Sequence, residues 1–272
     1  MKLGAIHTPA PADLLPLARR VNLAKLYVPI CVDWLRHRPA DGNALGNDRL
    51  GNCVPCAQLR AIELRQAVAW DDTWAPSEAE AVGLYQALTG FDPATGLPDD
   101  GTDTGAAMAA WGKTGIRVNN QVLDIVGWAP VDPKDDGAIA RALEHFGPCQ
   151  VTLALPQAAQ DTTTWSKAPG DGPSWEPASW GYHRVCLGAA YEAEFIVRSW
   201  GRDVGIHPEW WARYAVAVDA TLSRDWLNAM GGAPDGLDWD RLAADMQALA
   251  VSGAAHGLAK KRLAQAVEKP GF

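Results

Sequence analysis

The sequence predicts an α+β fold: helices in the N-terminal part, extended segments after them, and a helical C-terminal tail. Three observations lead there. A polar, glycine-containing loop, Asn47 to Ala57, runs directly into the strong helix-forming run Gln58 to Val68. The remaining early pattern, up to about residue 115, reads as helices. After about residue 116 come extended apolar runs bounded by turn residues, interrupted by one helix. At 272 residues, 48% hydrophobic and 21% charged, the chain is long enough to bury a large core. The expected division is an arm over 1–30, a main unit over 31–218 (helical half about 53–115, β half about 116–218), and a helical extension over 219–272.

Taken in order, residues 1–30 carry four prolines and read as an arm with a short helix over Leu14 to Leu26. Val28 to Trp34 is a short extended segment leading into the polar loop 36–52. The helix from Pro55 to about Ala69 has apolar residues nearly all round, the mark of a buried element. Ser77 with Glu80 three residues on forms a capping box for the next helix, which Gly90 closes. Residues 91–105 hold four acidic side chains but lack EF-hand spacing, so they read as a solvated loop, not a Ca²⁺ site. A helix from Ala106 to Lys113, a strand from Asn120 to Gly127, a helix from Asp135 to Phe146 and a strand from Cys149 to Leu155 follow. Residues 157–182 are irregular and rich in Trp. Val185 to Tyr191 and Glu194 to Val197 form a hairpin, and Trp210 to Val218 adds one more element. In the tail, Asp238 caps one helix and Gly257 to Val267 forms another.

Composition narrows the function classes. A net charge of −8 with no Lys/Arg cluster argues against nucleic acid or an anionic membrane as partner. Met1 to Arg20 lacks the apolar core of a signal peptide, and no run of 18 apolar residues occurs elsewhere. The expected location is therefore the cytoplasm, a host's included, or a virion packaged from it. Five scattered cysteines, Cys31, Cys53, Cys56, Cys149 and Cys186, do not suggest a disulfide framework.

Cys53 sits where the loop becomes the helix. There a thiol faces unpaired N–H groups and the positive end of the helix dipole, which favour thiolate. His183, 130 positions on, is a candidate base, since thiolate–imidazolium pairing is the common way to activate cysteine. Two other readings of these residues are weaker. Cys53-Val54-Pro55-Cys56 has thioredoxin-type spacing but lacks the preceding apolar strand. A zinc site from Cys53, Cys56, His183 and Cys186 would need His183 and Cys186 on one face of a strand, although they are three apart. No metal or cofactor is expected.

The order of motifs resembles the papain-like cysteine peptidases. Val32-Asp33-Trp34, Asn47 six residues before Cys53, Gly51-Asn52-Cys53 with its long helix, and the Gly101 to Gly115 loop and helix all have counterparts in that family. So do the helix–Pro–strand pair up to Leu155, His183-Arg184-Val185 and Ser199-Trp200-Gly201. The resemblance implies a central N-terminal helix packed against an antiparallel sheet or half-barrel, with Cys53 as nucleophile, His183 as general base, and Asn47 with the Cys53 N–H as oxyanion donors. It also implies Gly101, Gly105, Trp180 and Trp200 along the substrate cleft, with Trp200 shielding the imidazole. Leu50 replaces the cysteine of a family disulfide. Arg198 stands where the family has the asparagine that orients the histidine; Arg198 and Ser199 alternate on a strand, so only one of them can face His183, and Ser199 is the one that could accept its hydrogen bond. The pattern is similar to papain-fold proteins of phage and prophage genomes. Two functions stay open: a cysteine peptidase or related thiol acyl-transferase acting on peptide or isopeptide bonds of a protein substrate, or a virion structural protein that kept the fold and lost the chemistry, with other virion proteins as partners.

Overall fold

Helix α1 (Cys53–Trp70) forms the central rod of the computed structural model, which describes residues 1–11, 14, 16, 17, 26–192 and 194–229. Leu59, Leu64, Ala57, Ala61 and Ala67 are buried, and so are Gln58, Arg60, Glu63, Arg65 and Gln66. Pro55 sits in its first turn, where a missing N–H goes unnoticed, so the helix begins two residues earlier than the sequence suggested. Helix α2 (Glu78–Thr89) opens on the Ser77/Glu80 capping box and ends at Gly90 in the left-handed region, as the residue types require. Helix α3 (Thr104–Thr114) is capped by the Asp103 carboxylate, which accepts the Ala106 N–H at 2.8 Å.

The main sheet runs in the order β10 (Arg202–Ile206), β9 (Glu194–Ser199), β8 (Gly181–Tyr191), β7 (Cys149–Leu155), β11 (Ala215–Leu222) and β6 (Gly127–Val131), with every pairing on this path antiparallel. Strand β8 is long enough to carry two more partners: β2 (Cys31–Asp33) along its distal half, and β1 (Ala5–Ile6) at Tyr182. The sheet is joined to α1 by the Gln150 amide, which donates to the Ala57 carbonyl at 3.1 Å. Helix α4 (Asp136–Phe146) is tied to β2 by the Trp34 indole, which donates to the Leu143 carbonyl. Helices α5 (Pro208–Tyr214) and α6 (Arg224–Ala229) flank β11 in sequence. No described helix is long and apolar enough to cross a membrane.

Several expectations change. The single strand expected over Asn120 to Gly127 is a hairpin, β4 (Ile116–Val118) and β5 (Gln121–Leu123), followed by β6. Its turn is Asn119-Asn120, both at positive φ (44° and 62°), the hairpin geometry that asparagine tolerates. Strand β8 starts at Gly181, four residues before the expected Val185, so His183 lies inside it. Strand β11 runs to Leu222 and α6 follows, so the boundary expected at 218 falls within a strand of the sheet. The helices expected around Asp238 and over Gly257 to Val267 lie outside the described residues, as does most of Leu14 to Leu26.

Candidate active site

The loop before α1 is held so that Cys53 is its first residue. Leu45 and Gly46 turn the chain at positive φ (56° and 81°). The Asn52 amide donates back to the Leu45 carbonyl at 2.9 Å, and the Asn47 amide to the Leu50 carbonyl at 2.9 Å. The Gly51 N–H donates to the Asp99 carboxylate at 2.8 Å. Asp99 also accepts from the Tyr85 hydroxyl and pairs with Lys2, while Tyr85 in turn accepts the Gly101 N–H. One carboxylate thus sets the spacing of the two loops that flank Cys53. Burial works against its ionisation, but the bonds from Lys2, Tyr85 and Gly51 outweigh it and hold its pKa below the usual range.

Across from α1, strand β8 presents His183 opposite Leu153 of β7. Its Nε2 is 2.8 Å from the Ser199 Oγ, and its buried Nδ1 has no hydrogen-bond partner among the described residues. The Trp200 ring lies flat on the imidazole, centroids 4.2 Å apart and planes 12° apart, with Trp180 stacked on Trp200 and Trp165 edge-on to both His183 and Trp200. Trp165, from the irregular stretch, is fully buried, so these tryptophans pack the site. Arg184, next on β8, donates its N–H to the Cys53 sulfur at 3.5 Å. Its guanidinium pairs with Asp219 at 2.6 Å and Thr152 at 2.7 Å. Cys53, His183, Asn47, Ser199 and Trp200 line one cavity of about 20 Å³.

The chain's own N-terminus packs beside Cys53 as well, with Ala5 in one small apolar cluster with Cys53 and Val54. Strand β1 runs parallel to β3 (Thr102–Asp103) and antiparallel to Tyr182. The Thr102 N–H donates to the Gly4 carbonyl at 2.7 Å, and the Asn47 amide donates to the Lys2 carbonyl at 3.3 Å. A Cβ on Gly4 would stand 1.9 Å from the Gly51 carbonyl oxygen, and one on Gly101 2.4 Å from the Gly4 carbonyl oxygen. The segment passes between two glycine walls that no side chain could share. Beyond it His7 packs on Tyr182 and enters a cavity of about 390 Å³ lined by Met108, Trp128, Arg184 and Asp219.

Enclosure sets the electrostatics. Burial pushes the Cys53 thiol up to about 11, against the opposing pull of the Arg184 and Gly4 N–H groups and the Arg184 charge. Burial drives His183 down to about 3. His7 is lowered by burial and then by Arg184, with Asp219 and Asp103 pulling the other way. The closed structure therefore holds a neutral thiol and a neutral imidazole.

The structure brings Cys53, His183, Asn47, Ser199 and Trp200 together. Gly101 packs against Gly4, Gly105 lies beside Thr8, and Trp180 reaches the site through Trp200. Arg198 turns the other way, to Asp203 at 2.8 Å and towards Glu63 at 3.5 Å. All five cysteines are free, and among the described residues no three His, Cys, Asp or Glu side chains converge as a metal site. Sequence reasoning missed Asp99, Gly4, His7 and Arg184. Only Arg184 had a signal: it follows His183 on a strand and so belongs to the opposite face.

No protein-family model and no curated protein matches the sequence. Solved structures do. Xylellain, a cysteine protease from Xylella fastidiosa, superposes with a TM-score of 0.58 at 14% identity, covering 81% of this chain and 96% of that one. The fold is that of the papain-like cysteine proteases. A digestive procathepsin L 3 of Tenebrio molitor (TM-score 0.53, 15% identity, 78% and 74% covered) and a proCathepsin B from Trypanosoma congolense (0.53, 11%, 82% and 86%) share it. In the papain-like fold of this chain, the central helix and the antiparallel half-barrel meet at Cys53 and His183.

Proposed function

We propose that the protein is a papain-like thiol hydrolase of peptide or isopeptide bonds, with residues 2–8 covering its cleft. The observation that supports this most is the shared cavity: a cysteine opening a helix, and an imidazole with one nitrogen held by Ser199 and the other unpartnered. The Cys53 thiol passes its proton to His183 Nδ1, and the thiolate attacks the carbonyl carbon of the scissile bond. The oxyanion takes hydrogen bonds from the Cys53 N–H and from the Asn47 amide, which the Lys2 carbonyl occupies in the closed state. The imidazolium returns its proton to the departing amine. Water, deprotonated by the same imidazole, then cleaves the thioester and restores the thiol. Related acyl transfer to an amine would follow if an amine replaced water.

The test is a full-length Gly4→Val protein, in which the added side chain forces the N-terminal segment off Gly51. It should hydrolyse unstructured protein and be labelled by a thiol-directed peptidyl probe at Cys53, and Cys53→Ala in the same background should do neither.

A second reading, a virion or other interaction protein of this fold without chemistry, draws on the closed cleft and its neutral thiol and imidazole. Gly4→Val protein that leaves Cys53 unlabelled and substrate intact would decide for this second reading.

A further inference from the structure

Four arginines among the described residues are less than a tenth exposed: Arg60, Arg65, Arg184 and Arg198. Three are ion-paired, Arg60 with Asp41 and Glu63, Arg184 with Asp219, and Arg198 with Asp203 and Glu63. Arg65, on the side of α1 facing β11 and α6, forms no ion pair among the described residues. Its Nη2 reaches only the Thr221 carbonyl, at 3.5 Å, and its Nε is buried without a partner. The guanidinium lies 5.3 Å from the centre of the Trp111 ring. A buried cation in such surroundings carries a desolvation cost unless an anion faces it, and burial lowers its pKa to about 10 against the opposing pull of Cys186, Cys149 and Asp225.

Arg65 lines a cavity of about 20 Å³ walled by Ile62, Trp70, Trp111 and Trp226. The Nε1 of Trp226, which lines the same cavity, is also buried without a partner among the described residues. The volume is that of one small polar group. Exposed Asp124 and Asp225 flank the opening, and their charge disfavours a dianion.

We propose that this cavity is a carboxylate-binding site, in which Arg65 offers the Nε and Nη2 edge of its guanidinium to a monocarboxylate. The planar fork matches the two carboxylate oxygens. The site is separate from the thiol cleft, and its assignment does not depend on the peptidase reading. The carboxylate has two sources, a free small acid or an acidic side chain of residues 230–272. That stretch begins four positions after Trp226 and contains Asp235, Asp238, Asp240, Asp245 and Glu268.

The experiment is thermal unfolding of the full chain in sodium formate, sodium chloride and sodium sulfate at matched ionic strength. It is repeated with Arg65→Lys, with Arg65→Met, and with the five tail acids changed to their amides. A free acid as ligand gives a saturable rise in Tm of about 2–4 °C with formate alone, abolished in Arg65→Lys. A tail acid as ligand gives no formate response in the wild type but the same rise in the five-amide protein, again lost on adding Arg65→Lys. Arg65→Lys keeps the charge and serves if Arg65→Met does not fold. The proposal is overturned if formate never differs from chloride in either background, as a trapped water would give, if sulfate does as well, or if the response survives loss of the guanidinium.

Discussion

Arg198 and Ser199 are neighbours on β9 and so point to opposite faces of the sheet, and the face each takes decides what the imidazole meets. Ser199 takes the site side, 2.8 Å from His183 Nε2. An Nε2–H donated to that hydroxyl leaves Nδ1 as the proton acceptor, whereas a guanidinium there would repel the imidazolium. Ser199→Ala should lower kcat on the order of tenfold or more while KM changes little, because the Trp200 stack still holds the ring plane. The comparison requires the opened Gly4→Val background, where turnover is measurable. Arg198 faces Glu63, itself shared with Arg60 and near Arg38. Arg198→Met should therefore leave a buried carboxylate short of one partner and cost about 3 kcal/mol of stability in urea unfolding, with kcat in the opened protein nearly unchanged. A loss of kcat without loss of stability would mean that Arg198 acts on the imidazole after all.

The strap over the cleft is an element of few residues and few bonds. It holds through the Thr102–Gly4 and Asn47–Lys2 hydrogen bonds, the Lys2–Asp99 pair and the close fit of Gly4. Asp99→Asn weakens the Lys2 pair without adding bulk, so Cys53 should react with iodoacetamide at neutral pH several-fold faster than in the wild type, and Gly4→Val should exceed it. Equal rates in all three proteins would show that the strap does not control access. This element was invisible in the sequence, where Met1-Lys2-Leu3-Gly4-Ala5-Ile6 carries no periodic signal and its partners, Gly51, Thr102 and Tyr182, are 47 to 177 residues away. What was legible is what local rules dictate: the Ser77/Glu80 box, the α1 run behind Pro55, the helix end at Phe146. The alternation across β9 limited the candidates at His183 to two without choosing between them. The site was half legible, since Cys53 and His183 stand out by position and motif order. Asp99 looked like one more acid in a turn-rich loop, because nothing local shows that three distant groups converge on it.

At the scale of the molecule, the buried groups make stability depend on pH with a definite sign. His183 and His7 have folded pKa values below the ordinary 6.5, so the unfolded chain binds more protons below about that pH and stability falls as pH drops. Cys53 is raised from 9.0 to about 11, so the unfolded chain loses its proton first and stability falls again as pH rises from about 9 towards 11. Unfolding free energies from urea titrations should form a plateau between about pH 6.5 and 9, each unit of separated pKa being worth about 1.4 kcal/mol. Burial also raises Cys56, Cys149 and Cys186, so Cys53→Ala should make the alkaline limb shallower without removing it and leave the acid limb unchanged, and an alkaline limb of unchanged slope would contradict the buried-thiol assignment. The strap has one more consequence. Because it is part of the chain it covers, its occupancy of the cleft is governed by an effective concentration fixed by the tether, not by how much protein is in the tube. Diluting the wild-type protein should leave its thiol as protected as before. A separate peptide of residues 1–11, added to a protein from which they were removed, should need to approach roughly millimolar levels to restore the same protection.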